Sequence, residues 1–144
     1  MINIFLMLGS FILLWIVSMV IHEIGHVLGA KLTGGNARIE FWNWYDIPSM
    51  RVTPFGNYDD EVFKIAGGAF AFFVYIIPIV IPNLPIYLYY PLFTIAIIQG
   101  IYGIYEWNFL GKIKMDNYMK WHYVLYFVVW LFLTISFYIS GKFV

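Results

Sequence analysis

Residues 20–30, VIHEIGHVLGA, overlap the end of an apolar run at residues 5–21, FLMLGSFILLWIVSMVI, and together these two segments decide the class of fold. The apolar run contains no charged residue, so it has the composition of a helix that crosses a bilayer. His22, Glu23 and His26 then lie where such a helix would still be inside the membrane. Because ionisable side chains are costly in lipid, their presence at this depth indicates a functional site.

The composition of the whole chain also indicates an integral membrane protein. Hydrophobic residues make up 62% of the 144 residues, charged residues make up 11%, and the mean hydropathy is +0.80. An ordinary soluble domain has about 25% charged residues. Eight basic and eight acidic residues give no net charge, so there is no basic surface of the kind that binds nucleic acid. Without cysteine, a metal ion would need histidine or carboxylate ligands.

Four apolar segments are long enough to cross a membrane, since about 20 helical residues span its hydrocarbon core. They are predicted at about 3–30, at two spans within 65–105 that are separated by PNLP at 82–85, and at 121–141. The opening MINIFLML lacks the basic start of a signal peptide, so we expect the first span to be permanent. The sequence therefore predicts an all-α membrane protein of about four transmembrane helices, with residues 1–144 forming a single domain.

The basic residues predict the orientation of the chain. Four spans place residues 31–64 and 110–120 on one side of the membrane, and both termini and residues 83–90 on the other. Seven of the eight basic residues fall on the first side, and only Lys142 falls on the second. The seven are Lys31, Arg38, Arg51, Lys64, Lys112, Lys114 and Lys120. Since cytoplasmic loops carry an excess of Lys and Arg, we expect the first side, which is also the side of the histidines, to be cytoplasmic.

The HEIGH sequence at residues 22–26 has the spacing of a zinc-binding motif on a helix. Histidines four positions apart lie one turn above each other, so both can reach one Zn²⁺ at about 2.0–2.1 Å. Glu23 follows the first histidine and can take a proton from zinc-bound water. Gly25 and Gly29 would let a neighbouring helix or a substrate backbone come close. The alternative is a polar cluster that packs helices together and holds no metal.

Two histidines leave a zinc ion one protein ligand short, because open zinc sites have three protein ligands and a water molecule. The missing ligand must lie on the same side of the membrane as the histidines. The residues on that side that could serve are Glu40, Asp46, Asp59, Asp60, Glu61, Glu106, Asp116 and His122. The acidic run at 59–61 resembles a solvated loop, and Glu106, at the end of the third span, resembles an interfacial or pairing residue.

The stretch between the first two spans, residues 36–58, alternates partly between apolar and polar residues in RIEFWNWYD and SMRVTPFGNY. Pro48 separates the two halves, and two glycines precede them. This pattern predicts a short β-hairpin at the membrane surface. The alternative is an interfacial or re-entrant loop that Trp42 and Trp44 anchor.

Three segments resemble, in the same order, motifs of the site-2 protease family of intramembrane zinc metalloproteases. They are HEIGH at 22–26, IAGGAFAFF at 65–73 and NFLGKIKMDN at 108–117. The family has HExxH, then a motif like AGPxAN, and then a motif like NxxPxxPxDG, whose Asp is the third zinc ligand. In the third segment Asn108 and Asp116 stand at the positions of the family's Asn and Asp.

The resemblance implies a zinc enzyme with one metal ion per chain. Its ligands would be His22, His26 and Asp116, its catalytic base would be Glu23, and Asn108 would support the substrate or the transition state. The substrate would be another membrane protein, cut in or near a transmembrane segment. The resemblance also implies that the hairpin receives the unwound substrate by strand addition.

Several positions depart from the family's motifs. Gly68 and Ala71 stand where the second motif has Pro and Asn, and Gly111, Lys114 and Asn117 replace two prolines and a glycine of the third. These departures keep open a second function, that of a non-catalytic relative that binds or escorts membrane-protein clients. A third function, metal transport, is disfavoured because transporter sites are commonly built from sequence repeats, which this chain lacks.

Overall fold

The computed structural model describes residues 4–41, 50–109, 124 and 126–136. The elements are α1 (Ile4–Leu32), β1 (Asn36–Phe41), β2 (Met50–Phe55), α2 (Asp60–Ile76), a 3₁₀ turn (Ile77–Val80), α3 (Ile86–Phe109) and α4 (Tyr126–Ser136). The segments Phe5–Leu32, Asp60–Val80 and Ile86–Phe109 are long and apolar enough to cross a membrane. The chain is mostly helical, as predicted. The predicted fourth span at 121–141 lies partly outside the described residues, so the number of four spans stays a prediction.

Helix α1 runs without a break for 29 residues, which is about 43 Å at 1.5 Å per residue. Its length exceeds the roughly 30 Å of a hydrocarbon core. Much of its surface is apolar and exposed, as at Phe5 and Leu13. Ser18, His22 and His26 are buried, and because they are four positions apart they form one polar stripe along the helix. α1 is therefore a lipid-compatible helix with one polar stripe that faces its neighbours.

Helix α2 begins five residues earlier than the uncharged segment that predicted it. Asp59 caps the helix, since its carboxylate accepts hydrogen bonds from the backbone nitrogens of Glu61, at 2.9 Å, and Val62, at 3.0 Å. The acidic run at 59–61 is thus a cap and a first helical turn, not the solvated loop that the sequence suggested. Carboxylates at the N-terminus of a helix also interact favourably with the helix dipole. The predicted break at PNLP is confirmed, and Asn83 within it has a φ of 62°.

Small residues allow the three long helices to approach closely. A Cβ atom at Gly25 would lie 2.6 Å from the Ala66 carbonyl oxygen, and one at Gly29 would lie 2.5 Å from the Ala66 Cβ. On the other side of α2, a Cβ atom at Gly68 would overlap the backbone of Gly103 in α3. The expectation that Gly25 and Gly29 admit a neighbouring helix is confirmed, and the neighbour is α2.

Strands β1 and β2 form the antiparallel pair that the alternating sequence predicted. Their register runs from Asn36 opposite Phe55 to Phe41 opposite Met50. Ala37 and Val52 pack toward the helices, in a cluster with Ala30 and Phe63. The segment that joins the strands, with Trp42, Trp44 and Pro48, lies outside the described residues. The sheet is therefore anchored where α1 ends and α2 begins.

Candidate metal centre

Two helices bring together, inside the protein, three side chains of the types that can bind a metal ion. The Nε2 atoms of His22 and His26 are 3.1 Å apart, and they lie 2.9 Å and 3.2 Å from Oε2 of Glu106. All three side chains are buried, with 4%, 4% and 5% of their residue surfaces exposed. The three ligand atoms thus form a nearly equilateral triangle between α1 and α3.

This triangle has dimensions that suit a zinc ion. Ligand atoms of a tetrahedral site with bonds of 2.0–2.1 Å lie about 3.3–3.4 Å from one another. The distances of 2.9, 3.1 and 3.2 Å are only a few tenths shorter. The three side chains would hold a zinc ion as its protein ligands, and a water molecule or substrate would supply the fourth ligand that catalytic zinc sites require.

The other ring nitrogen of each histidine has a hydrogen-bond partner. Nδ1 of His26 lies 2.7 Å from the Phe63 carbonyl oxygen, and Nδ1 of His22 lies 2.8 Å from Oε1 of Gln99. Oxygens of this kind only accept, so each Nδ1 donates, and in a neutral imidazole Nε2 then presents a lone pair to the cluster. Two lone pairs 3.1 Å apart and beside a carboxylate need a cation or a proton between them.

Gly67 in α2 leaves space beside the two histidine nitrogens. A Cβ atom there would lie 2.7 Å from Nε2 of His22 and would overlap Nε2 of His26. Any larger residue would therefore fill the volume that an ion bound to both nitrogens needs. The first glycine of the sequence AGG thus forms one wall of the candidate site.

An aromatic ring packs beside each of the two histidines. The Tyr102 ring lies 5.0 Å from the His22 ring, and the Phe63 ring lies 4.8 Å from the His26 ring, measured between centroids. Tyr102 also contacts Tyr126 of α4, with centroids 6.2 Å apart. This packing restricts both imidazoles to the orientation that directs Nε2 toward Glu106.

Glu23 lies beside the triangle without being part of it. It is half-buried, follows His22 directly, and its carboxylate interacts electrostatically with both histidines and with Glu106. No side chain in the described part of the chain forms a hydrogen bond or an ion pair with it. Its carboxylate can therefore contact a water molecule or a substrate at the cluster.

The cluster lies near one end of the three long helices. His26 is about 9 Å from the end of α1, and Glu106 is about 5 Å from the end of α3, at 1.5 Å per residue. At the same end Trp107 donates a hydrogen bond from Nε1 to Glu61, and Lys64 pairs with Asp60. These polar contacts place the site about two turns or less from the polar boundary of the apolar spans.

The structure brings together some of the predicted site residues. His22 and His26 converge as predicted, and the carboxylate that meets them is Glu106, one of the candidates that the sequence left open. Asp116 and His122 lie outside the described residues, so the assignment of Asp116 as a ligand stays a prediction.

Asn108 is exposed, and its Nδ2 donates to the Ile104 carbonyl oxygen at 2.7 Å. Residues two positions apart on a helix point in different directions, so Asn108 does not share the face of Glu106. Its support of a substrate stays a prediction. Gln99 is not among the site residues that the sequence motifs predict. It is, however, the single glutamine of the chain, and it precedes Glu106 by two helical turns.

No protein-family model, curated protein or solved structure matches the chain. The resemblance to the site-2 protease family therefore rests on the three sequence motifs alone.

Proposed function

We propose that the protein is an intramembrane zinc metalloprotease that hydrolyses a peptide bond in or near a transmembrane segment of another membrane protein. The observation that carries this proposal is the buried triangle of His22, His26 and Glu106, with Glu23 beside it, near one end of three helices that could cross a membrane. Ionisable residues are rare in such helices unless they serve a function.

The proposed ligands of one zinc ion per chain are His22, His26 and Glu106. The charges of such a site balance, because two carboxylates, those of Glu106 and Glu23, offset the divalent cation while the histidines stay neutral. A balanced cluster is far less costly to bury than a charged one. Asp116 is the competing third ligand, on the strength of its motif alone.

Zinc is the metal that best fits the motif. Two histidines and a carboxylate also suit iron(II) in oxygenases. A glutamate directly after the first histidine, however, is the arrangement of zinc hydrolases, where it acts as a base. Glu23 has this place, and its carboxylate is oriented by no other described side chain.

The chain's own groups account for the proton transfers of peptide hydrolysis. A zinc ion in such a site acts as a Lewis acid and makes water nucleophilic near neutral pH. Glu23 then takes a proton from the attacking water and delivers a proton to the amide nitrogen that leaves. Gln99 and Phe63 hold the two imidazoles in place throughout, so the ligand geometry requires no rearrangement.

Strand addition to β1 is the proposed mode of substrate binding. Most of β1 is exposed, whereas β2 is exposed mainly at Arg51 and Phe55. Pro54 in β2 lacks a backbone donor and stands opposite Ala37, whose nitrogen bonds to the Asn36 side chain and not across the sheet. The outer edge of β2 therefore lacks a donor permanently, whereas the Ala37 nitrogen on β1 is bonded to a side chain that an incoming peptide can displace, so β1 is the proposed edge for strand addition.

The proposed orientation places the site on the cytoplasmic side and both termini on the opposite side. A cysteine substituted for Asn57 should then react with an impermeant reagent only from the cytoplasmic side, and one substituted for Asn83 only from the opposite side. The reverse labelling pattern would overturn the orientation.

Metal content of the purified protein tests the metal site. Wild type is expected to contain one zinc ion per chain, and Glu106→Gln is expected to lose most of it, whereas Glu40→Gln, an exposed control on β1, is expected to retain it. If Asp116→Asn loses zinc and Glu106→Gln retains it, the third ligand is Asp116. A wild type without bound zinc would overturn the proposal in favour of a non-catalytic, client-binding protein.

Cleavage of a transmembrane peptide in reconstituted vesicles tests the reaction. Glu23→Gln is expected to retain zinc and fold, yet to lose about 10²–10⁴-fold in rate, the usual contribution of a general base. Wild-type cleavage that a chelator does not abolish, or full activity of Glu23→Gln, would overturn the mechanism.

A further inference from the structure

Gln99 forms the centre of a buried hydrogen-bond network behind the candidate metal site. It is 1% exposed and lies in the apolar helix α3. Its Oε1 lies 2.8 Å from Nδ1 of His22, and its Nε2 donates to the hydroxyl oxygens of Ser18, at 3.2 Å, and Tyr126, at 2.7 Å. Both amide hydrogens and the amide oxygen are therefore used, on partners from α1 and α4.

The Ser18 hydroxyl favours one orientation of the Gln99 side-chain amide. Its hydroxyl donates to the Trp15 carbonyl oxygen at 2.7 Å, so its hydrogen points away from Gln99 and its lone pair faces the amide nitrogen. A reversed amide would place its oxygen against that lone pair. The orientation with nitrogen toward Ser18 and oxygen toward His22 is therefore the one that Ser18 supports.

The direction of the amide decides which nitrogen of His22 carries the hydrogen. Because the Gln99 oxygen only accepts, Nδ1 of His22 donates to it, and Nε2 keeps its lone pair for a metal. A reversed amide would donate to Nδ1 and move the hydrogen to Nε2, which lies 2.9 Å from the Glu106 carboxylate. A hydrogen bond between these groups would then occupy the position of the metal.

The two histidines differ in how firmly this choice is made. His26 donates to the Phe63 backbone carbonyl at 2.7 Å, and a carbonyl in a helix cannot reverse. His22 depends on a side-chain amide that has two possible orientations. Of the two ligands, only His22 therefore needs additional residues to select its metal-binding tautomer.

We infer that Gln99 is a positioning residue that fixes His22 in its metal-binding tautomer, and that Ser18 and Tyr126 fix the orientation of Gln99. The inference rests on the proposed metal site, since it takes a metal ion to be the partner of Nε2. It assigns a role to Ser18, which lies one turn before the HEIGH motif and contacts none of the proposed ligand atoms.

Zinc affinity tests the role of the network. Gln99→Leu is expected to lower the affinity about 10–100-fold, the usual effect of removing the outer partner of a ligand histidine. Ser18→Ala is expected to lower it less, because Tyr126 still accepts from the amide. Gln99→Glu is expected to keep more of the affinity than Gln99→Leu, since either of its oxygens can accept from His22, and Ser18→Ala should then have no further effect. Thr94→Val is the matched control, because it removes a buried polar group from α3 that lies outside this network.

Nitrogen NMR of histidine-labelled, metal-free protein tests the tautomer directly. Wild-type His22 is expected to carry its hydrogen on Nδ1, and Gln99→Leu to shift it toward Nε2. A wild-type His22 without a hydrogen on Nδ1, or an unchanged zinc affinity in Gln99→Leu, would overturn the inference.

The two readouts separate the inference from the proposed function. If the protein binds no zinc, but His22 shows the expected tautomer in wild type and the expected shift in Gln99→Leu, the proposed function fails and the role of Gln99 stands. If wild type and Gln99→Leu bind zinc equally well, the metal site stands and the role of Gln99 fails.

Discussion

Neighbouring glycines on α2 face two different helices, and the two contacts serve different ends. Gly67 faces the histidine nitrogens of α1, whereas Gly68 faces the backbone of Gly103 in α3. Beside Gly67 the absent side chain leaves room for an ion. Beside Gly68, the backbone of Gly103 occupies the position that a side chain would take. Similar small residues can therefore create either a space between side chains or a rigid backbone contact, depending on what they face.

The rigid contact also determines where the clustered side chains of the candidate site lie. Gly103 is one turn from Glu106 on α3, so the approach of Gly68 to Gly103 fixes the carboxylate relative to α2. α2 in turn contacts α1 through Gly25 and Gly29. The geometry of the triangle therefore follows from helix contacts that contain no ligand.

The largest effect is expected from Gly68→Ala, which breaks the rigid contact. The new methyl group would overlap backbone atoms of Gly103 and lie 2.6 Å from the Gln99 carbonyl oxygen, and backbone cannot move aside without separating the helices. We expect a loss of stability at or above the roughly 1–3 kcal/mol of overpacking, together with loss of zinc binding. Thermal unfolding in detergent and metal content measure both. Gly9→Ala, with no atom within 4 Å of the new Cβ, is the control.

Gly67→Ala is expected to separate metal binding from stability. Its methyl group would occupy the space beside the two Nε2 atoms, so zinc affinity should fall by at least about 100-fold, the upper end of what changes around metal ligands cost. The metal-free protein should unfold closer to wild type than Gly68→Ala does, because side chains and not backbone must move. Equal destabilisation of the two metal-free variants would remove the distinction between the two faces of α2.

Tyr75→Phe tests the contact between α1 and α2 away from the site. The Tyr75 hydroxyl donates to the Leu14 carbonyl oxygen at 3.0 Å, two turns of α1 before His22. Its removal is expected to cost about 0.5–1.5 kcal/mol, the net contribution of one hydrogen bond, with zinc affinity unchanged. A drop in zinc affinity in this variant would mean that the whole contact, and not Gly67 alone, maintains the site.

The smallest effect is expected from Gly100→Ala. Gly100 lies in α3 and, like Gly68, at the contact between α2 and α3. Its Cβ would lie 3.1 Å from the Phe72 ring, which is the far end of a side chain and can shift. We expect a stability within about 0.5 kcal/mol of wild type and normal zinc binding, as for most substitutions that meet no rigid neighbour. A large loss of stability here would show that side-chain contacts on this face are as rigid as the backbone contact.

Local patterns carried most of what the sequence predicted correctly. The uncharged runs, the PNLP break, the alternating strands and the spacing of the HEIGH residues each depend on neighbours within a few positions. An uncharged run does not predict the start of α2, because Asp59 and the two acids after it belong to the helix as its cap and first turn.

The carboxylate partner of the histidines could not be chosen from the sequence. Eighty positions separate His26 from Glu106, and their meeting depends on the rotation of α3, which the contact at Gly68 and Gly103 sets. One signal was present. Gln99 and Glu106 are seven positions apart in an otherwise apolar helix, so they lie on one face, and a polar stripe on α1 needs such a counterpart.

The division of the triangle between α1 and α3 has a consequence for biosynthesis. A ribosome completes both histidines early, but the carboxylate emerges only after α2 and nearly all of α3 have been made. A nascent chain that ends before Glu106 has two of the three proposed ligands and lacks the third. Metal loading of the complete triangle, and any cleavage that depends on it, would therefore wait until the third long helix has inserted and packed.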